Sequence, residues 1–149
     1  MRRRDFISLL GGVTAWPIVA PGQQTTKIRT VGFLYPGAAA AAPPRIAAFL
    51  AGLRAGGFRE PEDVELIAKV TGGDAALLDP MVADLVKRKV DLIFAVSPAA
   101  ARAARSATTM IPILVSDLES NPVDAGFVAS VARPGGNVTG VFLDFPRSR

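Results

Sequence analysis

The chain has 149 residues, half of them hydrophobic and one fifth charged, a composition that suits one ordinary domain whose body is globular rather than disordered. Its net charge of +4 sits at the two ends: Arg2, Arg3 and Arg4 against Asp5 give +2, and Arg147 with Arg149 gives +2, while residues 23–146 carry twelve basic and twelve acidic side chains. A neutral body has no footprint for a phosphate backbone, so nucleic acid is excluded as a partner.

Cysteine and histidine are both missing, which removes disulfides, thiolate chemistry and the usual general base and metal ligand. Catalysis would have to rest on carboxylates, Lys, Tyr or Ser alone. No metal site and no cofactor is expected.

The chain opens on Arg2-Arg3-Arg4-Asp5-Phe6-Ile7, followed by a mild apolar run over residues 7–19 and then Ala20-Pro21-Gly22-Gln23. An arginine pair, one polar residue and Phe6-Ile7 resemble a twin-arginine export signal. The run is shorter than the about 20 apolar residues a membrane span needs, and Gly11, Gly12, Thr14, Trp16 and Pro17 dilute it. Small residues at Ala20 and Gly22 predict cleavage near Gly22-Gln23 and a periplasmic destination.

Residues 28–35 form a short β-branched and apolar run ended by Pro36-Gly37, a first strand. Pro43-Pro44 then starts a helix whose Ile46, Phe49, Leu50 and Leu53 share one face, and Gly56-Gly57 ends it. Residues 64–70 alternate as a second strand. Thr71-Gly72-Gly73-Asp74 is a turn with Asp74 as N-cap. Leu77, Leu78, Met81, Val82, Leu85 and Val86 make the clearest amphipathic helix, with Lys87, Arg88 and Lys89 at its negative dipole end.

Residues 92–96 are continuously apolar, as in a central parallel strand covered on both faces. Ser97-Pro98 supplies an N-cap and a first-turn proline for an alanine-rich helix over 99–107. Residues 113–115 form a fourth strand, 123–131 a fourth helix, and 138–143 a fifth strand. The result is an α/β fold, an open parallel sheet of about five strands with helices on both faces.

Ligands in such sheets bind beyond the carboxyl ends of the strands, where strand order reverses. That rule selects Tyr35-Pro36-Gly37, Ser97-Pro98 and the loop from Asp117 to Asn121. Ser97 either caps its helix or helps its free N–H groups to hold a carboxylate or phosphate. Tyr35 either stacks on a ligand or covers the sheet edge. Asp117 and Glu119 are either an acid/base pair or a solvated loop.

Several stretches resemble a bacterial family, the periplasmic substrate-binding proteins of ABC transporters related to tryptophan and tyrosine binders. They are the leader, Val31-Gly32-Phe33-Leu34, Ala48-Phe49-Leu50-Ala51-Gly52-Leu53, residues 107–113 and, most characteristically, residues 126–141. The resemblance implies the first lobe of a type I periplasmic-binding-protein-like fold, a binder and not an enzyme. Its partners would be a small solute, such as an aromatic amino acid or similar carboxylate, and an inner-membrane permease.

The candidate ligand-binding residues are Tyr35, Pro36, Ser97, Pro98, Asp117 and Asn121, in the loops that the strand-end rule selects. The resemblance adds a family motif of a small or hydroxyl residue before Pro98, which this chain keeps. Asn121 stands before Pro122-Val123 where the family commonly has Asp, one charge fewer beside the cleft. The expected organisation is a signal peptide at 1–22, a solute-binding lobe at 23–146 and a tail at 147–149 outside the family pattern, with the second lobe absent and the protein truncated. The alternative reading is a free-standing flavodoxin-like or receiver-like domain in signalling or nucleotide binding. It would want a carboxylate cluster or a phosphate loop where the chain has Tyr35-Pro36, Ser97-Pro98 and Thr71-Gly72-Gly73-Asp74.

Overall fold

The computed structural model describes residues 27–117, 120–130 and 135–142; the expected leader at 1–22 and tail at 147–149 lie outside them. Among the described residues the order is β1 (Arg29–Tyr35), α1 (Ala42–Ala55), β2 (Val64–Val70), α2 (Leu78–Lys87), β3 (Leu92–Val96), α3 (Pro98–Ala107), β4 (Ile113–Asp117) and β5 (Val138–Phe142). The strands form one sheet in the order β2-β1-β3-β4-β5, and every neighbouring pair is parallel. Each connection therefore has to cross over the sheet, and the direction of travel reverses once, between β1 and β3.

The register sorts side chains between the two faces. Gly32 pairs with Ile93 and Leu34 with Ala95, and these pair onward with Ile113 and Val115. Leu34, Ile93, Ala95, Ile113 and Val115 are all fully buried, packed with Leu78, Val82 and Leu85 of α2 and Ala100, Ala101 and Ala104 of α3. Alanines let α3 lie close to the sheet, and Gly32 does the same for α2. A Cβ at Gly32 would stand 2.8 Å from Leu85 Cδ1 and Cδ2.

The opposite pleat carries Phe33 and Phe94, which face α1. Phe49 of α1 stacks on Phe94 with centroids 4.5 Å apart and tilts against Phe33 at 5.9 Å. This helix covers its side of the sheet thinly. Ile46, Phe49, Leu50 and Leu53 are only half-buried, and Ala42 is its one buried residue.

The expected Asp74 cap is present but heads a short 3-10 turn, Ala75–Leu77, with Asp74 Oδ1 accepting the Ala76 N–H at 2.9 Å; α2 follows directly. The expected helix over 123–131 does not form in its described part. Asn121 starts it correctly, its Oδ1 accepting the N–H groups of Val123 and Asp124. Ala125 N–H then reaches the Asn121 carbonyl and Phe127 N–H that of Pro122. Gly126, at φ 72°, ends the helix after this single turn. Phe127 and Val128 drop into the core, 5% and 7% exposed. The apolar pattern that reads as a helical face is a buried plug behind one turn.

Two acidic residues fasten the N-terminal edges. Asp91 Oδ2 accepts the Thr30 N–H at 2.9 Å and Oδ1 meets Lys27 Nζ at 3.1 Å. The Thr30 hydrogen bond first, and Lys27 second, hold this carboxyl below the usual aspartate range. At the outer edge of β2, Val64 N–H donates to the Arg59 carbonyl and Leu66 N–H to Glu60 Oε1. Among the described residues no helix is long and apolar enough to cross a membrane.

Candidate functional site

The reversal between β1 and β3 opens a crevice at the carboxyl ends of the strands. A cavity of about 620 Å³ occupies it, between those strand ends, the tip of β4 and the first half of α1. Its floor is aromatic: Phe33, fully buried, and Phe94 and Phe49, half-buried and stacked. Pleat alternation brings this about, because Phe33 and Phe94 stand two residues before Tyr35 and Val96 and point the same way.

The rim is built by backbone latches. Thr71, just beyond β2 and 6% exposed, gives its N–H to the Tyr35 carbonyl at 3.1 Å and its Oγ1–H to the Pro36 carbonyl at 2.8 Å. This fixes the turn after β1. The Tyr35 hydroxyl lies against Gly37, and the Arg45 guanidinium sits 4.9 Å from the Tyr35 ring centroid, a cation–π contact. Arg45, on the first turn of α1, is the one charged side chain among the described lining residues.

On the far side of the rim, Ser97 caps α3. Its Oγ accepts the Ala100 N–H at 3.3 Å and its carbonyl accepts the Ala101 N–H at 3.0 Å. Pro98 has no N–H to offer, so the first-turn donor left for a ligand is Ala99 N–H. The capping reading of Ser97 is what the hydrogen bonds show, and Ser97 and Pro98 also line the crevice.

Ser97 holds φ 115° and ψ 160°, a region almost reserved for glycine that costs about 1–3 kcal/mol. Glycine as N-cap loses only a few tenths of a kcal/mol, and its freer unfolded chain costs about 0.4–1 kcal/mol. Ser97→Gly is therefore expected to stabilise the fold by about 1 kcal/mol in urea unfolding. A loss of stability would show that the hydroxyl cap outweighs the strain.

Of the residues singled out from sequence, Tyr35, Pro36, Ser97 and Pro98 line this one cavity. Asn121 does not; its side-chain oxygen is spent on its own turn. Asp117 ends β4 opposite Phe142, but its side chain and the whole of Glu119 lie outside what is described. Sequence reasoning missed Phe33, Phe49, Phe94, Arg45 and Ser116 in the lining and Thr71 behind it. The pleat signal could have found Phe33 and Phe94, while Arg45 depends on how α1 lies across the sheet. Among the described residues no group of three or more acidic, His or Cys side chains could hold a metal.

A doubly wound parallel sheet with an aromatic-floored crevice at its strand reversal is an α/β fold of the periplasmic-binding-protein-like type. Residues 42–145 match the family model of the ABC transporter substrate binding proteins, and the chain belongs to that family. The free-standing signalling-domain alternative is thereby set aside.

Among curated proteins it is similar to a tyrosine-binding protein of Clostridioides difficile, 34% identical over 92 residues that make up 62% of this chain and 26% of that protein. Among solved structures it is similar to a ligand-free, open substrate-binding protein with adhesive properties from Clostridium difficile (31% identity, TM-score 0.68, 76% of this chain and 38% of that one). A domain from Streptococcus pneumonia in complex with L-Trp gives 26% identity and a TM-score of 0.69 over 77% of this chain and 38% of that one. The chain spans about a quarter of the curated relative's length and little more than a third of these solved chains.

Proposed function

We propose that this chain is the extracytoplasmic solute-binding component of an ABC transporter, exported by its arginine-led leader. It captures a small aromatic carboxylate, of the kind an aromatic amino acid represents, for handover to an inner-membrane permease. It works by binding alone and carries out no catalysis. The observation that carries this reading is the cavity at the β1/β3 reversal. There a floor of Phe33, Phe49 and Phe94 offers an aromatic ring faces to stack on, and the start of α3 offers an N–H to a carboxylate. Support comes from a relative named for tyrosine and a similar domain solved with L-Trp.

The test is a nitrogen-15 NMR titration of the chain with L-tryptophan and L-tyrosine up to millimolar concentration. Shifts are expected to concentrate at Tyr35, Phe94, Ser97 and Ala99. Saturating ligand that moves none of these amides would overturn the proposal.

A further inference from the structure

Two rows of side chains lead from the aromatic floor of the cavity to its rim. On α1, Arg45 precedes Phe49 by four residues, so both stand on one face of the helix with Cβ atoms about 5–6 Å apart. On β1, Tyr35 follows Phe33 by two residues and points to the same side of the sheet. All four line the cavity. The rows touch at both levels: Phe49 lies 5.9 Å from Phe33, and the Arg45 guanidinium lies 4.9 Å from the Tyr35 ring centroid. A positive charge is thereby set one helical turn beyond the rings.

That charge has a defined seat. The Tyr35 carbonyl takes the Thr71 N–H, and the Tyr35 hydroxyl lies against Gly37. The guanidinium over this ring carries five N–H groups in a planar fork. One of them goes to the Ala41 carbonyl at a long 3.4 Å, and the ring contact draws on the charge rather than on an N–H. Such a fork matches the two oxygens of a carboxylate, which it can take by two parallel bonds.

We infer that, resting on the solute-binding reading, Arg45 is the charged partner of the solute's carboxylate and Tyr35 is the positioning residue that holds it. The solute's ring lies on Phe49 and Phe94. Its carboxylate lies one helical turn away at the guanidinium, the separation of a ring and an acid group joined by a short carbon chain. The site therefore selects an aromatic acid over the same molecule with its acid group neutralised.

The test compares L-tryptophan with L-tryptophanamide, which differ only in the acid group, on the full chain by NMR titration at a pH where both keep the ammonium. L-tryptophan is expected to bind about tenfold tighter, the magnitude of one charge-assisted hydrogen bond. Arg45→Gln should erase that ratio, whereas Arg54→Gln, on the same helix but outside the lining, should keep it. Arg45 is exposed, so the exchange leaves the core intact. Tyr35→Leu should lower the ratio by about threefold, the size of an exposed cation–π contact, and the conservative Tyr35→Phe should recover it.

A ratio unchanged in Arg45→Gln, whether both affinities fall together or neither does, would overturn the inference. Shifts at Phe94 and Ser97 would then leave the solute-binding reading standing. L-tryptophanamide binding as tightly as L-tryptophan to the unaltered chain would overturn the inference equally. No response at the cavity to either probe would bring down the inference and the aromatic-solute reading together.

Discussion

Replacing Phe33 by alanine is expected to cost about 3–5 kcal/mol of stability, the range for emptying a large aromatic site in a packed core. Phe33 is 0% exposed, and its ring sits 5.5 Å from Phe94 and 5.9 Å from Phe49. The side chain occupies the middle of the sheet, with β2 and β3 on either side, so the backbone is poorly placed to collapse into the void. Domains of this size are typically stable by about 5–15 kcal/mol, so the loss takes a large share of the whole. Urea unfolding of the two proteins, read at a common slope, measures it. A cost below about 1 kcal/mol would mean that α1 closes the gap by settling onto the sheet.

The second large effect is expected on the opposite face, at Gly32. Valine there would suit the strand but not the helix above it. The added Cβ would stand 2.8 Å from both terminal methyls of Leu85 and 3.2 Å from Cγ. Flexible side chains usually escape such contacts, but Leu85 is fully buried and has nowhere to turn. Overpacking of this kind costs about 1–3 kcal/mol, and α2 would have to lift from β1 to absorb it. A double-mutant cycle with Leu85→Ala checks the cause. Gly32→Val should be milder in the Leu85→Ala background by about 0.5–3 kcal/mol of coupling. Strictly additive costs would place the damage in the strand backbone instead.

These two positions also show what the sequence could disclose. Strands β2 and β3 were legible residue for residue, because alternation in 64–70 and a continuous apolar run in 92–96 are short-range signals. Ser97-Pro98 was legible for the same reason, as capping chemistry acts within one turn. The family was legible through residues 126–141, yet that same stretch misled the local reading. Gly126 ends the turn through a positive φ, and Phe127 and Val128 are apolar for burial and not for a helical face.

The cavity was half legible. Its strand-end residues follow from topology, whereas Arg45 and the Phe49–Phe94 stack depend on the pose of α1. That pose is a tertiary outcome which no spacing encodes. Strain at Ser97 was likewise invisible, because sequence shows a good cap and not the backbone angle at which it is held.

The bonds from Arg59 and Glu60 to the outer edge of β2 have a consequence for how copies of this protein can meet. A bare parallel edge offers every second N–H to any passing strand, which is how sheets grow from one molecule into the next. Here the outward donors of Val64 and Leu66 are already taken by the segment just upstream. An incoming strand would have to evict a carboxylate and a carbonyl before gaining a single rung. The first half of that border is sealed by its own chain, so fibril-like extension cannot start there.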